Sequence, residues 1–302
     1  MTRLAFLITA HNDPLHLKRL TDALPQNAEF FVHVDAKSDI DAFKGIDYNS
    51  RVHFSEKRIN VMWGSYSQME SEITILKEAL DYPVHFDYYI TMSGLDYPLW
   101  SNNRMEEFFE THKGEEFIQG VCLESQPDGS KLYRQHRPFN YKYFKYGSLG
   151  SKCRVALREI IYALGFRKPL HFQAQGKDYK VFKGSSWWAI TDSLAKTVLD
   201  YWENNDEYRN FFHDFFGPDE TFVPTIVFNT DFKAKALNSP KVLNRLEDVT
   251  PLTFIDYTNG IKILDESDLS RLLASGKMFC RKAITGQSDK LMDLIDSYRE
   301  KS

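Results

Sequence analysis

The chain has 302 residues, 42% hydrophobic and 26% charged, an ordinary globular composition that permits a large core and argues against disorder. No run of about 18 apolar residues occurs, so nothing reads as a membrane span, and the widely spaced Cys122, Cys153 and Cys280 suggest neither a zinc cluster nor a disulfide framework. The net charge of −4 conceals a segregation: Lys131 to Lys183 holds thirteen Lys or Arg against only Glu159 and Asp178, a balance of +11 that leaves −15 elsewhere.

In chain order, apolar runs at Leu4–Thr9, Phe30–Val34, Val52–Phe54 and Tyr88–Met92 read as strands. Helices are predicted near Pro14–Leu24 and at Ser67–Leu80, where Ile73, Leu76 and Leu80 recur at helical spacing and Ser67 stands as the cap. Strands alternating with helices predict a mostly parallel sheet flanked by helices, in a single domain. Asn102 is predicted to cap a helix through Phe109. From 124 to 180 the chain reads as irregular, basic and aromatic, broken by one helix at Lys152–Leu164. A strand at Ser186–Thr191, a helix at Asp192–Glu203 and a helix after Pro218-Asp219-Glu220 follow. A helix at Ser267–Ala274, a strand at Met278–Cys280 and a helix at Asp289–Arg299 close the pattern.

In doubly wound sheets ligands sit beyond the carboxyl ends of the strands. The residues there are His11 after the first strand, Asp35 after the second, and Ser93 and Asp96 after the fourth. No G-x-G-x-x-G, P-loop, G-x-S-x-G or H-E-x-x-H pattern is present, which weakens dinucleotide, NTPase and hydrolase readings. Asp39-Ile40-Asp41 has the form of a metal-binding pair, but it falls where a helix begins and acids are favoured by the dipole alone. Glu220 follows Gly217-Pro218-Asp219, a rigid turn able to aim one carboxylate as a general base, although the same acids would also suit a helix N-terminus. Lys277, Arg281 and Lys282 cluster around a short strand, either to neutralise a departing diphosphate or as a solvated turn. Trp187 and Trp188 offer indole faces to a sugar, and strand alternation turns one of the two into the core.

Taken in order, these segments resemble the core-2/I-branching β-1,6-N-acetylglucosaminyltransferase family, which also contains the peptide O-xylosyltransferases. The pieces are Phe31-Val32-His33-Val34-Asp35, Trp63-Gly64, Tyr89 through Leu99, Phe182 through Trp188, Gly217-Pro218-Asp219-Glu220, and Asp268-Leu269 leading to Met278 through Lys282. The resemblance implies a GT-A-type fold, with a nucleotide-binding half (1–120) and an acceptor-binding, catalytic half (121–302), and an inverting, metal-free transfer of a sugar, GlcNAc or xylose, from a UDP-sugar to a hydroxyl of a glycan acceptor. It makes Glu220 the base and Lys282 a diphosphate ligand, with Asp35 and His11 on the uridine side. Ser93, Asp96 and Arg281 join the donor side, and Lys262, near Asn259, is expected to replace a second diphosphate-binding arginine. Trp187, Trp188, Arg134 and Arg137 are expected on the acceptor side.

No cofactor, metal or nucleic-acid partner is expected. Animal members carry a membrane anchor and disulfides, so this chain looks like a cytosolic bacterial relative in surface glycan synthesis. Lys152, Arg154, Arg158, Arg167 and Lys168 accompany Val155, Leu157, Ile160, Ile161 and Leu164 on or near one helix. That segment either rims the donor cleft or rests on the inner face of an anionic plasma membrane, within reach of a lipid-linked oligosaccharide. The competing reading is a catalytically silent glycan-binding protein on the same fold.

Overall fold

The computed structural model describes residues 2–301 except 127–129, 140, 141, 143, 145, 146 and 259, so Asn259 lies outside the described residues. In chain order the strands that frame the site are β1 (Leu4–Ala10), β2 (Glu29–Val34), β3 (Val52–Phe54), β4 (Tyr88–Ser93), β5 (Asp96–Pro98), β6 (Ala189–Thr191), β7 (Thr253–Ile255) and β8 (Phe279–Arg281). The principal helices are α1 (Pro14–Ala23), α2 (Tyr66–Leu80), α3 (Asn102–Thr111), α4 (Leu149–Ala163), α5 (Asp192–Asn204), α6 (Phe222–Phe228) and α7 (Asp289–Arg299).

The main sheet runs β6-β4-β1-β2-β3, parallel throughout except at β6, which pairs antiparallel with β4. Alternation along β1 explains why helices cover both faces. Leu4, Phe6 and Ile8 enter one core with Leu17 and Leu20 of α1, while Ala5 and Leu7 enter another with Met69, Ile73 and Leu76 of α2. A smaller sheet sets β8 between β7 and β5, with Arg281 opposite Asp96, and α7 closes a third core over it. The expected α/β architecture, a mostly parallel sheet flanked by helices, is therefore present.

Several boundaries differ from expectation. Ser65, not Ser67, occupies the N-cap position of α2, because Ser67 Oγ instead accepts the Met62 N–H at 2.8 Å. The strand expected from Ser186 begins only at Ala189, since Ser185 and Ser186 turn their hydroxyls toward the Val249 carbonyl and the Asp219 carboxylate. The middle segment is less irregular than its composition suggests: His171–Ala174 and Lys177–Lys180 form a hairpin closed by Gly176 at φ 73°. Its apolar side buries Phe172 and Tyr179 against Tyr208.

Candidate active site

The carboxyl ends of β1, β2 and β4 open into a cavity of about 330 Å³, walled opposite by α2 and by the chain around Trp187 and Arg281. His11 and Asp35 lie at its rim as their strands require. The Asp35 carboxylate takes the Lys37 backbone N–H at 2.9 Å and the Lys37 ammonium at 2.8 Å, which orders the loop after β2. Partial burial and the nearby charges of Arg281 and Lys282 hold the His11 imidazole below its ordinary pKa, so it is neutral near pH 7. Arg281 lines the cavity, and Lys282 follows it in the chain without lining it. Ser93 lines the cavity floor.

Asp96 sits behind the wall rather than in it. Wholly buried, it accepts the Ser93 N–H at 2.8 Å, the Trp187 indole N–H at 2.9 Å and the Arg281 guanidinium at 3.1 Å. Burial raises its pKa, and these three donors oppose the rise. Asp96 is thus a positioning residue for Trp187 and Arg281, not the direct donor contact expected. Arg281 also lies 5.3 Å from the Trp187 ring, and its Nε is buried without a partner among the described residues. The guanidinium is held firmly yet keeps hydrogen-bonding capacity.

Two expected residues are elsewhere. Lys262 does not line the cavity, because its ammonium is held by both oxygens of Asp268 at 2.8 and 2.7 Å. Trp188 is 2% exposed within the core beneath β4, where its backbone N–H donates to Thr91 Oγ1, so it cannot meet an acceptor. Trp187, the other member of the pair, faces the cavity. Asp39 caps the short helix Ile40–Lys44 by accepting the Asp41 N–H at 3.0 Å, and neither acid lines the cavity.

Glu220 opens onto a second, larger cleft of about 700 Å³. Gly217 makes this possible: its φ of 57° lies in the left-handed region, and the turn closes with the Glu220 N–H on the Gly217 carbonyl at 3.1 Å. The carbonyl of Glu220 is fixed by the Gly184 N–H at 2.8 Å. The buried Lys183 ammonium contacts Glu220 Oε2 at 2.7 Å, while Oε1 meets no donor among the described residues. One oxygen is anchored and the other is available to a hydroxyl.

Residues to which the sequence reading gave no functional role join the two clefts. Trp63 lines both and is 83% exposed. Asp219 faces the donor side, where its Oδ2 accepts Ser186 Oγ and Gln68 Nε2, each at 2.7 Å. Burial, then the neighbouring Glu220, raise the Asp219 pKa to about 7. Glu72, one turn beyond Gln68 on α2, is buried at the cavity wall with no hydrogen-bond partner among the described residues. Burial and then the like charges of Asp219 and Glu220 drive its pKa well above the carboxylate range. Three carboxyl groups therefore converge where the clefts meet, only one of them balanced by a lysine.

On the remaining acceptor candidates, Arg137 stacks its guanidinium 3.9 Å from the centre of the Phe216 ring, a ring that lines the Glu220 cleft. Arg134 lines neither cleft, and its carbonyl accepts the Lys168 N–H at 2.8 Å.

The family model for the core-2/I-branching enzymes matches residues 4–258 of this sequence. The chain belongs to that family. Over 293 residues it is 25% identical to human N-acetyllactosaminide beta-1,6-N-acetylglucosaminyl-transferase, covering 92% of this chain and 67% of the human protein. It is 24% identical over 238 residues to the Drosophila melanogaster xylosyltransferase oxt, covering 76% of this chain but only 24% of the fly protein. The chain thus spans two-thirds of the first relative and about a quarter of the second. Among solved structures, S. aureus TarS in complex with UDP-GlcNAc aligns with 65% of this chain and 47% of its own at a TM-score of 0.31 and 14% identity, too slight a likeness to bear on function. Members of this family are glycosyltransferases, and the core-2/I-branching chain described here is an enzyme of that class.

Proposed function

We propose that this core-2/I-branching enzyme transfers GlcNAc or xylose from a UDP-sugar to a hydroxyl of a glycan acceptor, with inversion and without a metal. The observation that carries the reading is Glu220: one carboxylate oxygen tied to Lys183, the other facing a cleft that meets the cavity beside Arg281 and Lys282. In this mechanism Glu220 Oε1 takes the proton of the acceptor hydroxyl as that oxygen attacks the anomeric carbon from the face opposite UDP. The bond from the anomeric carbon to the diphosphate oxygen breaks, and its electron pair leaves with UDP. Arg281 and Lys282 neutralise the charge that develops there, the part a divalent cation plays in other nucleotide-sugar enzymes. Asp35 and His11 seat the nucleoside, and Trp187 borders the transferred sugar.

The test is UDP release from a panel of UDP-sugars, with and without EDTA, for wild type and Glu220→Gln. EDTA-resistant release with one donor, reduced about 10²–10⁴-fold in the variant, is the expected result. Near-normal turnover of the variant would refute the base assignment, and abolition by EDTA would refute the metal-free mechanism.

The acceptor in this reading is presented at a membrane surface. The helix α4 buries none of its residues, and Leu149, Leu157, Ile160 and Leu164 on its outer face are all exposed. Of the five cations expected to support such contact, Lys152 and Arg167 remain exposed, whereas Lys168 is buried against Asp214 and Arg154 and Arg158 are half-buried. The apolar face therefore carries more of this proposal than charge does. No helix among the described residues is long and apolar enough to cross a membrane.

A further inference from the structure

Three guanidinium groups gather beside the Glu220 cleft, and among the described residues none of them makes a close ion pair with a carboxylate. Arg154 and Arg158 lie one helical turn apart on α4. Arg158 lines the cleft together with Phe216 and Glu220, and Arg137 is stacked on that same Phe216. The Nε atoms of both Arg137 and Arg158 are buried with no hydrogen-bond partner among the described residues. Burial lowers the Arg137 pKa to about 9, with the positive charges of Arg158 and then Arg154 adding to the fall. Glu159, the acid nearest in sequence, is already engaged by Lys131 and Gln135. Among the described residues no carboxylate offsets Arg137.

Stability alone gives no reason for this arrangement, since crowding half-buried like charges with no paired carboxylate is unfavourable. Such a cluster is a seat for an anion that arrives with a ligand. Guanidinium forks fit the oxygens of phosphate or carboxylate in pairs, and three of them exceed what one carboxylate can neutralise.

We propose that Arg137, Arg154 and Arg158 form a binding site for a phosphate group carried by the acceptor, so that the enzyme modifies an anionic glycan. This rests on the transferase reading above and narrows its acceptor class. The site explains the basic middle segment as a local recognition surface. The phosphate belongs either to the glycan itself or to a lipid that bears it.

The test blocks the donor cavity with saturating UDP and titrates glucose 6-phosphate or glucose into the protein by calorimetry. Glucose 6-phosphate should bind and glucose should not. Arg154→Gln combined with Arg158→Gln should weaken the phosphate-dependent binding at least about tenfold while leaving UDP affinity unchanged. The melting temperature of that variant should hold or rise, because like charges have been removed, and this separates a lost site from a lost fold. Phosphatidylcholine vesicles with and without phosphatidic acid, added to the titration, identify the source: specific displacement by phosphatidic acid assigns the site to a lipid phosphate, and no displacement to the glycan. Equal binding of the two sugars, absence of phosphate-dependent binding, or full affinity in the double variant would overturn the proposal. Failure of UDP itself to bind, with phosphate binding intact and arginine-dependent, would instead overturn the transferase reading.

Discussion

Replacing Asp219 by Asn should stabilise the protein, and by an amount that grows with pH. The folded carboxyl ionises near pH 7, whereas its ordinary value is 3.8. Between those values the unfolded chain releases the proton first, so each step upward in pH favours the unfolded state. At about 1.4 kcal/mol per pKa unit, the difference approaches an upper bound of about 4 kcal/mol above pH 7. Asn keeps a neutral side chain of the same shape, and its carbonyl oxygen can still accept from Ser186 and Gln68 as Asp219 Oδ2 does. Because Glu220 and Lys183 share the electrostatic burden, roughly half the bound is a realistic gain, about 2 kcal/mol at pH 8 and about 1 kcal/mol near pH 5. The two proteins should converge below pH 4. Urea unfolding at pH 4, 5, 6, 7 and 8, with the slopes compared to verify a common unfolded state, measures this directly. A stability difference independent of pH, or one that shrinks as pH rises, would refute the assignment of Asp219 as a strained buried acid. The same variant is expected to lose activity, since a destabilising charge retained beside a catalytic base is typical of sites where function opposes stability.

Other substitutions separate the roles of neighbouring residues. Trp188→Ala should cost about 3–5 kcal/mol by leaving a core cavity, whereas Trp187→Ala should change unfolding much less and weaken UDP-sugar binding, as read by denaturation and calorimetry on each variant. Gly217→Ala forces a side chain into the left-handed region, with its Cβ 3.1 Å from Glu220 Oε2. It should cost about 1 kcal/mol and lower kcat more than KM, a split that steady-state kinetics would reveal. Leu157→Asp combined with Ile160→Asp should abolish co-sedimentation with anionic liposomes while leaving transfer to a soluble acceptor intact; unchanged sedimentation would remove the membrane proposal.

The sheet was legible because each of its first four strands is a compact apolar run followed by polar residues. That same grammar pointed to His11, Asp35 and Ser93, which do line one cavity. Glu72 escaped notice although a signal existed: it stands with Met69, Ile73 and Leu76 on the buried stripe of α2, an acid where the period demands an apolar residue. Lys183 gave no local signal, since its partner Glu220 lies 37 residues away and only the tertiary turn at Gly184 brings them together. Lys262 looked like a spare cation in sequence, but Asp268, six residues on, takes it up. The two readings of Arg154 and Arg158, cleft rim or membrane face, stay open in the sequence for a related reason. Composition records that a helix is basic, not which side its charges face.

The buried carboxylate of Asp96 gathers its partners from positions 187 and 281, and β8 must pair with β5 before Arg281 can reach it. This wall of the cavity is thus assembled from an early and a late stretch of the polypeptide. A ribosome that has made the whole parallel sheet has not yet made a closed cavity, because that wall waits until the strand bearing Arg281 has emerged and docked.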